Sequence, residues 1–319
     1  MKNIFLTILT IGLLAPSAVF ARGVINLTSE GNLAPNQTIT VRAASSFVDL
    51  GGAQIIWSVN GQLLGEGLGR TSQTVTLGPV GVPINVTAAI TVGDRAYKEA
   101  LTLTPAIIDV LWEAQTSVPP FFHGKALPSH ESIVRTYAVP FFGQNNTGVF
   151  PEFNWKKDST ITLAKGVNRT SAQFLGAWEK TATPITVEAK LGELTISENI
   201  RITSYVPSAL FYEISPLEGV RTQSTLQGQV KNNGVELSVL AVPYGVALSE
   251  RDRGEIQYNW EAGGKNIQEG FGRAFERVTL SRSEDKKTSG KISINYTAQN
   301  TVNVMQLAKG AFAWIFSEN

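Results

Sequence analysis

The chain contains no cysteine. This excludes disulfide cross-links, thiol nucleophiles, Cys-ligated zinc and iron–sulfur clusters, so each domain must stand on its packing. Histidine is nearly as scarce. His123 and His130 both lie in "FFHGKALPSH", without the short fixed offset or the acidic neighbours of a metal site. No Gly-x-Ser-x-Gly elbow accompanies them, which argues against a serine hydrolase. Charge is sparse and balanced, with 27 basic and 26 acidic residues and 17% charged in all. A net charge of +1 gives no pull toward nucleic acid or an anionic membrane. Beyond the N-terminus no apolar run is long enough to cross a bilayer. Carboxylates such as Glu113, Glu152 and Asp158 belong to no motif and read as solvated surface charge. The sign-alternating stretches "LSERDRGE" (248–255) and "RSEDKK" (282–287) read as soluble loops without a calcium pattern. No enzyme, cofactor or metal is expected.

What is present is apolar and turn-rich. Hydrophobic residues make up 43% of the chain, with 29 glycines and 14 prolines, a composition suited to short strands joined by turns. The first 21 residues stand apart: "MKN" is followed by the apolar run "IFLTILTIGLL", then Pro16, with Val19 and Ala21 at the −3 and −1 positions of a signal cleavage site. The expectation is a leader at 1–21, cut after Ala21, and an exported chain that is periplasmic, cell-surface or secreted.

A repeat organises the remainder. Trp57 in "AQIIWSVNG", Trp155 in "PEFNWKKDS" and Trp260 in "IQYNWEAGG" recur at intervals of about 100 residues, the length of one immunoglobulin-type sandwich. Alternating strands precede each tryptophan ("QTITVRAASSF", "ESIVRTYAVPFF", "VELSVLAVPYG"). Others follow ("INVTAAITV", "ITVEAKLG", "KISINYTAQN"). The sequence therefore predicts an all-β chain of three tandem immunoglobulin-like β-sandwich domains, at 22–105, 106–205 and 206–319, with short joins at "PAIID" and "SYVPS".

One stretch is written almost twice, "EGLGRTSQTVTL" at 66–77 and "EGFGRAFERVTL" at 269–280, with a weaker middle version in "KGVNR". A nucleotide loop would require a following helix or the Lys-Ser/Thr of a P-loop, whereas "RTSQTVTL" reads as a strand. Gly69 and Gly272 are read as architecture, glycines that allow positive φ at a fixed distance from a core tryptophan. Asn60-Gly61 is a strong hairpin signal. The candidate contact surface is aromatic. Phe121 and Phe122 in "VPPFFHG" and Phe141 and Phe142 in "VPFFG" suit a sugar or peptide platform, or else packing at the junction of the first two domains. Trp178 in "FLGAWEK" has no counterpart in the other copies and is the residue expected to be exposed.

The plan "PNQTITVRAASSFVDLGGAQIIWSVNGQ…GEGLGR", with "LWEA…PPFFHGKALPS" further on, resembles the immunoglobulin-like or PKD-like repeats of exported proteins from uncultured small-genome bacteria. The Phe-Gly-Asp-Gly that follows Trp in PKD repeats is absent, since Trp57 precedes "SVNG" and Trp155 precedes "KKDS". The resemblance bears on the type of repeat and not on activity, and no site residue is carried over from it. The chain as a whole is expected to be a non-enzymatic structural or adhesion module of the cell envelope or a surface appendage, with an envelope or extracellular protein or a glycan as partner. A carbohydrate-binding accessory chain or a degenerate hydrolase is the alternative. N-terminal sequencing of the exported protein is expected to begin at Arg22, and a start at Met1 would refute export by a cleaved leader.

Overall fold

A computed structural model describes residues 24–142, 150–192, 194–232, 234–282 and 289–316. The leader, its cleavage point and nearly all of "RSEDKK" lie outside the described residues. The chain divides into two compact units. The first ends at Ile107 and takes in the segment from Phe141; the second begins at Ile108.

The first unit is a sandwich of seven strands: β1 (Asn26–Glu30), β2 (Thr38–Ala44), β3 (Gln54–Val59), β4 (Gln62–Leu68), β5 (Ser72–Thr76), β6 (Ile84–Val92) and β7 (Arg95–Leu103). One sheet runs β1-β2-β5 and the other β4-β3-β6-β7. The alternation expected of half-buried strands is visible in β2, where Ile39, Val41 and Ala43 point inward. They meet Ile55, Trp57, Val86, Ala88 and Ile90 from the facing sheet. In the constant-type immunoglobulin arrangement the fourth strand lies beside the first, second and fifth. Here it pairs instead with the tryptophan strand. Asn60-Gly61 forces that pairing, because two residues with φ of 50° and 83° return the chain directly onto β3.

The second unit holds two more sandwiches. The strands β8 (Ile107–Ala114), β9 (Ile133–Phe141), β10 (Glu152–Lys157), β11 (Ile161–Val167), β12 (Ser171–Leu175), β13 (Ala182–Leu191) and β14 (Leu194–Thr203) repeat the same division, β8-β9-β12 against β11-β10-β13-β14. The third sandwich adds to it. Its strands are β15 (Ser208–Ser215), β16 (Gly219–Val220), β17 (Gly228–Lys231), β18 (Glu236–Tyr244), β19 (Ile256–Ala262), β20 (Lys265–Phe271), β21 (Arg277–Ser281), β22 (Gly290–Asn300) and β23 (Leu307–Phe316). The sets β20-β19-β22-β23 and β15-β18-β21 pack around one core and are joined into a single sheet where Ser208 of β15 pairs in parallel with Lys309 of β23. After β15 the chain turns through β16, and β17 then pairs in parallel along the outer edge of β23. A short helix, α1 (Leu248–Asp252), joins β18 to β19.

Trp57, Trp155 and Trp260 are fully buried, one in each core. Each indole N–H donates 2.8 Å to a backbone carbonyl of the loop closing the fourth strand, that of Arg70, Arg169 or Phe275. Each is followed at once by a shift in strand register. The residue before the loop arginine has positive φ in all three copies, at 62° for Gly69, 58° for Asn168 and 90° for Gly272. The repeated glycine motif is therefore the bend that brings a carbonyl over the buried indole. Asn can replace Gly in the middle copy because its short polar side chain tolerates the left-handed region. The third copy inserts a single 3₁₀ turn, Arg273–Glu276, so its acceptor lies farther along the chain. Removing such a tryptophan side chain costs about 3–5 kcal/mol, a large part of the roughly 5–15 kcal/mol that holds a domain.

A swap between copies separates conformation from space. A Cβ at Gly69 would lie 2.5 Å from the Gly51 carbonyl oxygen. In denaturant unfolding, Asn168→Gly should shift stability by no more than about 1 kcal/mol. Gly69→Asn should cost about 1–3 kcal/mol through overlap alone.

Candidate functional site

The most elaborate arrangement of side chains lies in the second unit, where the loop between β8 and β9 docks on the third sandwich. The contact begins with backbone. Ser117 N–H donates 2.7 Å to Val246, Gly245 N–H donates 3.3 Å to Ser117, and Leu248 N–H donates 3.1 Å to Gln115. Thr116 and Ala247 form an isolated antiparallel bridge between them. Ser117 is fully buried, and its hydroxyl donates to the Pro243 carbonyl. "VPPFFHG" then crosses the outer face of β15-β18-β21. Phe211 points into the third core against Trp260 and Phe312, so its neighbour Tyr212 must point outward. The Phe121 ring meets Tyr212 edge-on at 5.0 Å, and Phe122 meets Tyr244 edge-on at 5.5 Å. The two phenol oxygens lie 3.0 Å apart. Burial first, and then the neighbouring Tyr212, raises the Tyr244 hydroxyl well above the usual tyrosine range.

A second contact is polar. Gln306 is fully buried, and its amide oxygen accepts from Ala247 N–H at 2.8 Å and Asn300 Nδ2 at 2.9 Å. Its Nε2 donates 2.7 Å to the His130 carbonyl, which also receives Asn303 Nδ2 at 3.1 Å. One glutamine thus joins the loop between β22 and β23 to the second sandwich and leaves neither of its own amide atoms unpaired. The His130 ring lies 4.3 Å from the Trp178 ring, tilted by 38°. Trp178 itself is 59% exposed. The segments making these contacts also carry exposed Tyr205, Val304 and Met305.

The two phenylalanine pairs have different surroundings. Phe121 and Phe122, which the sequence left open between a sugar or peptide platform and junction packing, make their ring contacts on the third sandwich. The reason is a partner set, Tyr212 and Tyr244, that sequence order could not reveal. Phe141 is exposed, Phe142 is half-buried, and neither makes a ring contact among the described residues. Of the carboxylates, Glu113 accepts the Tyr137 hydroxyl at 2.9 Å, while Glu152 and Asp158 are exposed. No group of three His, Asp or Glu among the described residues could hold a metal ion.

"LSERDRGE" is more than a solvated loop. Arg251, within it, is buried and forms a two-pronged ion pair with Glu276 at 2.8 Å and 2.8 Å. Tyr258 donates to the same carboxylate at 3.0 Å. Burial opposes the guanidinium charge, but the hydrogen bonds and charge of Glu276 outweigh it and hold Arg251 above its ordinary value. No local pattern marks this trio, because its members come from α1, β19 and the 3₁₀ turn.

No protein-family model and no curated protein matches the chain. Among solved structures, the chain is similar to the central fibronectin-III array of RIM-binding protein at 11% identity. That match covers 92% of this chain and 96% of that one, with a TM-score of 0.32. It is similar to Sidekick-1 immunoglobulin domains 1–5 at 10% identity, with 92% and 59% covered and a TM-score of 0.29. For Drosophila OTK extracellular domains 3–5 the values are 12%, 94% and 100%, and 0.23. All three scores lie below one half, and the fold assignment rests on the strand pairing itself.

Gln306→Ala leaves the Ala247 N–H and Asn300 Nδ2 without their acceptor and the His130 carbonyl with Asn303 alone, at a cost of about 1–3 kcal/mol. Hydrogen exchange of the full chain should show faster exchange at Ser117, Ala247 and Leu248. Protection at Trp57 and its neighbours in the first unit should not change.

Proposed function

We propose that this chain is a non-enzymatic, exported interaction module of the cell envelope or a surface appendage, in which the second and third sandwiches act as one stiff element. The observation that carries the reading is the use of Phe121 and Phe122. Aromatics that could have formed an open sugar platform are engaged by Tyr212 and Tyr244, and thus serve to fix the angle between two domains. Phe121 is half-buried and Phe122 is still 39% exposed, so each contributes less than the roughly 1.5–3 kcal/mol of a fully buried large aromatic. Together with the backbone bridge they oppose the bending that is the default for neighbouring domains. A stiff pair suits display and load-bearing better than it suits enclosing a substrate. Trp178 is the contact residue: it is exposed beside the Gln306–His130 contact, and its indole is held by the His130 ring and not by a core.

Capture of binding partners from native envelopes tests this. The wild-type chain should retain an envelope protein that Trp178→Ala loses, with thermal unfolding unchanged because the indole is not part of a core. Retention of a polysaccharide by both chains, with no protein retained, would count against the reading and favour a carbohydrate-binding accessory.

A further inference from the structure

A cleft of about 430 Å³ opens beside the docked loop, within the range of roughly 300–1,000 Å³ that ligand sites occupy. It is lined by Pro119, Pro120 and Phe121 from the docked loop, by Leu240 and Val242 from β18 beneath that loop, and by Arg251, Arg273 and Arg277 together with Glu276. Three guanidinium groups thus face one carboxylate. Glu276 is consumed by Arg251 through both oxygens. Arg273 pairs with exposed Asp252. Arg277 lines the cleft with neither an ion pair nor a side-chain hydrogen bond among the described residues. Among the described residues the cleft therefore presents one uncompensated cation, in a lining that also holds Pro119, Pro120 and Phe121.

A second feature adjoins it. Arg277 is the first residue of β21, and among the described residues β21 ends its sheet, paired only with β18. Leu240 sits opposite Arg277 in that pairing, so the cleft lining and the free strand edge begin at one point. An unpaired edge offers a row of backbone donors and acceptors to an extended chain. Arg277, Thr279 and Ser281 are exposed in alternation along it.

We propose that this edge and cleft take an extended acidic peptide segment from a partner protein. The peptide adds a strand beside β21. A carboxylate from one of its side chains meets Arg277, and an apolar side chain packs against Pro119, Pro120 and Phe121. A small free anion would satisfy Arg277 but would use neither the strand edge nor the apolar part of the lining. The site lies apart from Trp178, so it goes beyond the contact proposed above and can fail without that reading failing.

The test is fluorescence anisotropy on the full chain, using a short labelled peptide of alternating valine and glutamate. The glutamate peptide should bind saturably and more weakly as salt rises. Its glutamine and lysine counterparts should bind at least about tenfold more weakly, the size of one charge-assisted pair. Arg277→Ala removes an exposed side chain. It should weaken the glutamate peptide about tenfold while thermal unfolding and capture through Trp178 stay as in the wild type. Asp252→Ala frees Arg273 and should tighten binding. Equal binding of the glutamate and glutamine peptides, or undiminished binding by Arg277→Ala, would overturn the proposal. So would equal binding of a glutamate peptide with methylated backbone nitrogens, which cannot add a strand.

Discussion

Each of the three sandwiches is arranged around the same bond, in which the indole N–H of its repeat tryptophan, buried in the core, is closed by a loop carbonyl. A tryptophan fills a sandwich core well, but its N–H must find an acceptor once water is gone. The acceptor cannot come from a regular ladder, whose carbonyls are already engaged. It has to come from a loop bent over the ring, and the bend demands a residue with positive φ at a fixed distance. The register shift after each tryptophan and the hairpin that returns the fourth strand follow from the same need to place that loop. With no disulfide to hold a domain together, this geometry recurs in all three sandwiches.

The joining of the second and third sandwiches uses a different chemistry. Their contact combines aromatic edges, an antiparallel backbone bridge and one buried amide whose three hydrogen bonds are all satisfied. Apolar contacts tolerate sliding, whereas a buried amide with fixed partners does not, because any displacement leaves polar atoms unpaired. The aromatics supply cohesion and Gln306 supplies the angle. The buried Arg251–Glu276 pair acts similarly within the third sandwich. Exchanging such a pair for apolar groups need not destabilise a protein, but removing one partner leaves a buried charge. It therefore fixes how α1 sits against β19 and the 3₁₀ turn. That placement gives the cleft its cationic side.

Much of this was legible in the sequence. The period of two in "TITVRAA" and "INVTAAITV" and the Asn60-Gly61 turn are written within a few neighbouring residues, and the recurrence of Trp57, Trp155 and Trp260 shows as a spacing of about 100. Trp178 could be singled out as exposed because nothing in the other copies answers to it. Phe121 and Phe122 could be marked as meaningful, but not assigned a partner. "LSERDRGE" was misleading for a related reason: its alternating signs suggest water on every side, and only one of its charges, Arg251, turns inward.

The sequence by itself determined the strands, the three copies and the bend over each indole, because these depend on alternation, turn preference and spacing along a short stretch of chain. Tertiary structure alone decided that Phe121 meets Tyr212, that Gln306 reaches His130, and that Arg251 meets Glu276. Those pairs are brought together by the outer faces and edges of finished sandwiches. A sheet's outward residues carry no periodic mark saying what will cover them, so their partners emerge only when whole domains dock.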